Sequence, residues 1–294
     1  MLIFGLPIQV LFGQLTIGLI NGCFYALLSL GLAIIFGLLN VINFAHGAFF
    51  MLGALTAWLA LTIGGVNYWW ALILAPLVTG VLGMIVERLL LRRLQGLDHL
   101  YGLLFTFGLA LFIEGTVRDI YGTSGLSYPV PEALRGPVDL GFMRLPAYRI
   151  WVVAVSVVVC FGTWLLIEKT RIGSYLRAGT ENARLVQALG INVPLLITLT
   201  YGFGVALAGL AGVLAAPIYQ VQPQMGSSML IIIFAVVVIG GLGSTLGAIV
   251  TGLALGVAEG LTKVFYPQAS STVVFMIMVI VLLMRPHGLF GREV

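Results

Sequence analysis

The chain has 294 residues, 61% of them hydrophobic and only 8% charged, where a soluble domain carries about 25% charged residues. So few charges cannot cover a water-facing surface, which excludes an ordinary soluble domain. The net charge of +4, from 14 Lys and Arg against 10 Asp and Glu, is the excess that loops on the inner side of a membrane supply, and no nucleic-acid partner is expected from it.

Met1–Gln9 holds no Lys or Arg, and no small-residue cleavage site follows the first apolar run, so the first helix is expected to stay in the protein. Apolar runs then recur along the chain, among them Trp69–Val86, Ile150–Ile167 and Pro194–Pro217. Each approaches the ~20 residues an α-helix needs to cross the hydrocarbon layer. They lack the alternation of a barrel strand, and lipid offers the backbone no hydrogen bonds, so they read as helices. The charge clusters place spans near 10–38, 46–63, 69–86, 102–117, 150–167, 194–216, 229–243, 246–262 and 270–285. The expected fold is an all-α, polytopic transmembrane helix bundle of about 8 to 10 spans, some of them broken, forming a single domain over 1–294.

The first run is long enough to hide a further break. Its Gln14, Gly18, Asn21, Tyr25 and Ser29 step by three or four residues and form one polar and small stripe. Such a stripe faces protein or water, as hydrogen-bonding glue between helices or as lining of a path. Asn40-Val41-Ile42-Asn43-Phe44-Ala45-His46-Gly47 puts polar groups between two runs, and Gly240-Gly241-Leu242-Gly243-Ser244 cuts another in two. Short, interrupted segments of this kind point to broken helices around a transport path. Asn43 and His46 are candidates for a structural role at a helix end or for gating and substrate contact. Neither has a second His or Cys at metal-ligand spacing, and no Ser/His/Asp set accompanies them. Cys23 and Cys160 stand alone within apolar runs and read as packing residues.

The loops that would share one side hold Arg88, Arg92, Arg93, Lys169, Arg171, Arg177, Arg184, Arg285 and Arg292, and those of the other side Arg118, Arg135, Arg144, Arg149 and Lys263. The imbalance makes the first side cytoplasmic and puts the C-terminus inside. On the outer side, 119–148 is rich in Gly and Pro and reads as a folded loop. Glu114 with Arg118, and Glu259 with Lys263, repeat an i,i+4 acid–base spacing that favours local ion pairs. Glu259 is also a functional candidate, since an acid within a span is costly. Gly243, Gly247, Gly252, Gly256 and Gly260 give the small-residue spacing of closely packed helices.

The longest inner connection, 169–193, is also the most basic. Thr180 is a plausible N-cap, Glu181 suits a helix start, Gly190 suits the position after a helix end, and Pro194 opens the next element. Leu185, Ala188 and Leu189 share one face of a helix of about nine residues, too short to stand alone in water. It is expected to dock on a partner protein or to lie on the lipid surface, drawn by anionic headgroups.

Several of these stretches, in order, resemble one known family. They are Ile42-Asn43-Phe44-Ala45-His46-Gly47 with Met51-Leu52-Gly53-Ala54, then Thr170-Arg171-x-Gly173 with Arg177-Ala178, Asn182 and Gly190-Ile191, then Gly240-Gly241-x-Gly243-Ser244-x-x-Gly247-Ala248 with Gly252, Gly256 and Glu259, and finally Arg285-Pro286-x-Gly288-Leu289-Phe290-Gly291. The chain is similar over nearly its whole length to the permease subunits of branched-chain amino-acid ABC importers, in the shorter of their two types. It departs from the pattern at Ala48, where many members carry an acidic residue, and at Leu246, where many carry proline.

The resemblance implies an importer of branched-chain or similar amino acids in the bacterial inner membrane. It implies two ATP-binding subunits, a second related permease and a periplasmic binding protein as partners. Arg171, Gly173, Arg177, Ala178, Asn182, Leu185, Leu189, Gly190 and Ile191 would couple to the ATPases, and Gln14, Asn21, Tyr25, Asn43, His46 and Glu259 are the candidate translocation path. No phosphate-loop motif Gly-x-x-x-x-Gly-Lys-Ser/Thr is present. The chain is therefore expected to be no enzyme and to hold no cofactor or metal, with ATP and Mg bound by partner subunits. Two alternatives stay open: an ion-coupled secondary carrier using Glu114 or Glu259, and a permease of the same family for urea or amides.

Overall fold

The computed structural model describes residues 2–3, 6–39, 42–94, 96–139, 141 and 144–291. Arg292 of the basic side, Asn40 and Val41 at the head of the interrupted segment, and Met1 lie outside the described residues. The described chain is all-α and polytopic, with two short hairpins, β1 Leu2–Ile3 with β2 Leu6–Pro7 and β3 Pro137–Asp139 with β4 Arg144–Pro146. Among the described residues, seven helices are long and apolar enough to cross a membrane: α1 Ile8–Leu39, α2 Ala45–Gly64, α3 Tyr68–Leu94, α4 His99–Tyr121, α5 Ala147–Lys169, α8 Val193–Ala215 and α10 Thr245–Phe265. Two apolar helices are shorter, α9 Met225–Gly240 and α11 Val273–Met284, and α6 Arg171–Glu181 and α7 Ala183–Ala188 are polar.

The punctuation between helices follows local chemistry. Gly65, at φ 60, ends α2, its N–H reaching back to Leu61 O. Asn67, Asp98, Asn192 and Ser244 each accept a backbone N–H at a helix start, on α3, α4, α8 and α10. The first run holds no further break: α1 is continuous over 32 residues and contains the span placed near 10–38. One expectation is corrected: α3 does not stop before its arginines but continues through Arg88, Arg92 and Arg93 to Leu94, with a π-helical turn at Glu87–Leu91. Arginine is a good helix former whose long stem reaches out from a helix end, so the charge does not end the helix.

The described residues form two compact units, each assembled from separate stretches of chain. The first takes in the chain to Ser29, Pro129–Phe161, and everything from Ile232. Within it α1 lies against α10 at backbone distance. A Cβ on Gly256 would overlap Gly22, and one on Gly260 would stand 2.5 Å from Gln14 O. In the same unit the C-terminal turn is stitched to the end of α9, Leu289 N donating to Ile239 O at 2.8 Å and Phe290 N to Gly240 O at 3.1 Å. The second unit takes in Leu30–Tyr128 and Gly162–Ile231. Its core is α2, α3 and α8, whose packed faces include Phe49, Phe50, Met51, Tyr201 and Leu214, all wholly buried.

Candidate functional site

The basic segment after α5 is built by a sharp fold-back. Thr170 Oγ1 donates to Leu166 O at 2.5 Å, closing α5. Gly173 then lies so close to the carbonyl of Ile167 that any side chain there would overlap it. One turn on, Arg177 Nη1 donates to the same Ile167 O at 3.3 Å and pairs with Glu168 at 3.4 Å. Gly173 and Arg177 therefore hold α6 onto the end of α5. Arg171 and Ala178 are exposed, and Ala178 O accepts the N–H of Asn182 at 3.0 Å.

The helix expected over Thr180–Leu189 is corrected here. Thr180 lies inside the last turn of α6, its hydroxyl spent on Arg177 O at 2.8 Å. Asn182 is the cap: its Oδ1 accepts Leu185 N at 3.0 Å and starts α7. Gly190 follows α7 at φ 86, a left-handed backbone that suits glycine. Ile191 N returns to Val186 O at 3.4 Å. The face of α7 turned inward is Val186, at 5% exposure, while Leu185 and Leu189 stand 61% and 75% exposed.

In the first unit the polar stripe of α1 faces α10. Ser29 Oγ reaches Ala248 O at 3.2 Å, and Gly18 underlies Gly256 and Gly260. Tyr25 OH donates to Glu259 Oε2 at 2.7 Å, and Lys263 pairs with Oε1 of the same carboxylate at 2.5 Å. Gln14 and Asn21 are half-buried.

In the second unit Asn43 is buried at the turn into α2. Its Oδ1 accepts Ala45 N at 3.1 Å and its Nδ2 donates to Tyr201 OH of α8 at 2.9 Å. Thr106 of α4 ties the same turn, accepting Phe44 N at 3.2 Å. His46 is wholly buried against Gly31, where a Cβ would come 3.0 Å from its Cε1 and 2.6 Å from Gly204 O. Ala48 lines a cavity of about 60 Å³ together with Phe44, Phe107, Glu114 and Ser227. Glu114 pairs with Arg118 at 3.0 Å. Beyond α4, Leu126 and Val221 exchange backbone hydrogen bonds at 2.8 and 3.0 Å. Tyr128 is buried beside Tyr68, and this burial, with Tyr68 as a lesser cause, pushes its phenol up to about 12.

One polar site escapes the reading of the sequence. Glu87, in the π turn of α3, is wholly enclosed. Its Oε2 accepts Thr198 Oγ1 of α8 at 2.6 Å and pairs with Arg92 Nη2 at 3.4 Å. Arg92 Nη2 also reaches Thr198 Oγ1 at 2.6 Å and Pro194 O at 2.9 Å. The available signal was an acid at the inner edge of a basic cluster, with an arginine five residues on. Among the described residues no group of three or more His, Cys, Asp or Glu could hold a metal ion.

Residues 14–283 match the model of a family described as "Branched-chain amino acid transport system / permease component". The chain is 34% identical to the high-affinity branched-chain amino acid transport system permease protein BraD of Pseudomonas aeruginosa, over 95% of each chain. It is 30% identical to the corresponding protein LivH of Escherichia coli K12, again over 95% of each. To LivM of the same organism, also named a high-affinity branched-chain amino acid transport system permease protein, it is 28% identical, over 90% of this chain but 67% of LivM. No solved structure matches. With seven helices of spanning length among the described residues and agreement over 95% of each chain with the shorter relatives, the chain is a multi-pass membrane protein that belongs to the branched-chain amino acid transport system permease family, in the shorter of its two types.

Proposed function

We propose that this chain is a membrane-spanning permease subunit of an ATP-binding-cassette importer that carries branched-chain amino acids across the bacterial inner membrane. The observation that carries the reading is the α6–α7 segment. It is anchored to α5 through Gly173 and Arg177, yet presents outward Leu185, on a helix of six residues, and Leu189, at that helix's end. A helix so short holds its shape by docking, and two exposed leucines flanked by Arg184 offer an apolar contact with a polar rim.

The partner so docked is one of two ATP-binding subunits on the cytoplasmic side, which bind ATP and Mg; the C-terminus lies on that side too. Arg171, Ala178, Asn182, Gly190 and Ile191 shape the segment, and nucleotide-driven closure of the ATPases moves it. A second, related permease completes the channel, and a periplasmic binding protein delivers the substrate to the outer face, where 119–148 offers a platform. Along the path, the half-buried Gln14 and Asn21 contact the solute. Tyr25, Asn43, His46 and Glu259, being bonded or buried, set the helices that border it.

Uptake of labelled leucine and of urea by cells expressing the intact system tests the reading. Leucine uptake that depends on ATP supports it. Urea uptake in its place, or leucine uptake driven by an ion gradient without the ATPases, overturns it.

A further inference from the structure

We propose that Glu87, Arg92 and Thr198 form a latch that carries movement of the α6–α7 segment from the first two turns of α8 into α3. The proposal rests on the coupling reading above. In a regular α-helix of 3.6 residues per turn, residues five apart stand about 140° apart around the axis and do not meet. The π turn Glu87–Leu91 widens the helix by one residue at the place where Glu87 must meet Arg92. Such turns are rare and concentrate at functional sites.

The bonds run outward from there. Glu87 Oε2 accepts Thr198 Oγ1 at 2.6 Å, and Arg92 Nη2 donates to Thr198 Oγ1 at 2.6 Å and Pro194 O at 2.9 Å. Pro194 stands four residues after Gly190, the residue that closes the α6–α7 segment. Displacement of the segment therefore pulls on the carbonyl that Arg92 holds, and through it on the end of α3.

As packing alone, this arrangement is a poor choice. Glu87 is a buried carboxylate in a spanning helix, and its Oε1 meets no hydrogen-bond donor among the described residues. Apolar side chains of similar size would stabilise a buried site as well or better. What charge-assisted bonds add is a single defined geometry, in which α3 and the first two turns of α8 move as one piece. The open Oε1 also leaves an acceptor for a donor brought up in a second conformation.

The test uses the whole transporter, this chain with its second permease, ATPases and binding protein, reconstituted in vesicles. The quantity read is leucine moved per ATP hydrolysed, at equal incorporated permease. Glu87→Gln and, as a milder change, Thr198→Val should each lower that ratio about fivefold or more. Arg92→Lys, which keeps the charge but loses the planar fork, should fall between them and the wild type. An unchanged ratio, or uptake and hydrolysis falling in proportion, overturns the latch. Arg177→Ala separates the two ideas. If it lowers the ratio while the latch variants do not, the latch alone fails; if it leaves the ratio unchanged, the coupling reading fails and the latch with it.

Discussion

Tyr25 of α1 donates to one oxygen of Glu259 at 2.7 Å while Lys263 closes on the other at 2.5 Å, so both oxygens of the acid of α10 are engaged. A carboxylate held in this way has little freedom to load and release an ion, which is the duty a secondary carrier would ask of it. The bond from Tyr25 ties α10 to α1.

Tyr25→Phe should therefore weaken the protein without slowing transport per assembled complex. Hydrogen bonds between membrane helices average about 0.6 kcal/mol and reach about 1.7, and a loss near 1 kcal/mol is expected in thermal unfolding of the detergent-solubilised protein. A variant as stable as the wild type, or one that transports markedly less at equal amount, would show that Tyr25 serves the path instead.

Glycines that look alike in the sequence separate in the structure. A Cβ on Gly256 would overlap the backbone of Gly22, whereas nothing lies within 4 Å of one on Gly108. Gly256→Ala should cost about 1–3 kcal/mol as the two helices are forced apart. Gly108→Ala should be neutral or gain up to about 1 kcal/mol from helix propensity. Membrane yield and thermal unfolding of the two variants, side by side, decide it.

What could be read from the sequence was whatever one stretch of chain decides for itself. The break at Gly240–Ser244 was legible because Gly241 and Gly243 take positive φ and Ser244 caps the next helix, all within five residues. The polar stripe from Gln14 to Ser29 was legible by its period. Span ends were not: Arg88, Arg92 and Arg93 look like a loop but extend α3. Thr180 and Asn182 are both good caps, and only the fold-back held by Gly173 and Arg177 decides between them. Glu87 was hidden for a different reason. Its hydroxyl partner, Thr198, lies 111 residues away, and no local pattern announces a pairing at that distance.

Tyr128 supplies a pH test. Its phenol is pushed from about 10 to about 12 by burial, so the folded chain keeps the proton that the unfolded chain gives up. Folding then gains nothing from this group above its folded value: the contribution is complete below pH about 10 and is lost as pH rises to about 12. A rise from about 10 to about 12 corresponds to about 2–3 kcal/mol. Unfolding followed across that window should show a decline that Tyr128→Phe reduces, and identical profiles for the two proteins would contradict the burial-driven shift.

The α7 face offers the sharpest contrast between stability and docking. Leu185 and Leu189 are exposed, so Leu185→Asp with Leu189→Asp should leave the permease inserted and folded, with normal thermal unfolding. An apolar contact at the centre of an interface is worth about 2 kcal/mol or more, so co-purification of the ATPase and leucine uptake should both drop at least about tenfold. Val186 is buried against its own chain at 5% exposure. Val186→Asp should instead lower the amount of folded permease. If the double leucine variant still binds the ATPase and transports normally, α7 lies on lipid, and its exposed leucines answer to the membrane surface rather than to a motor.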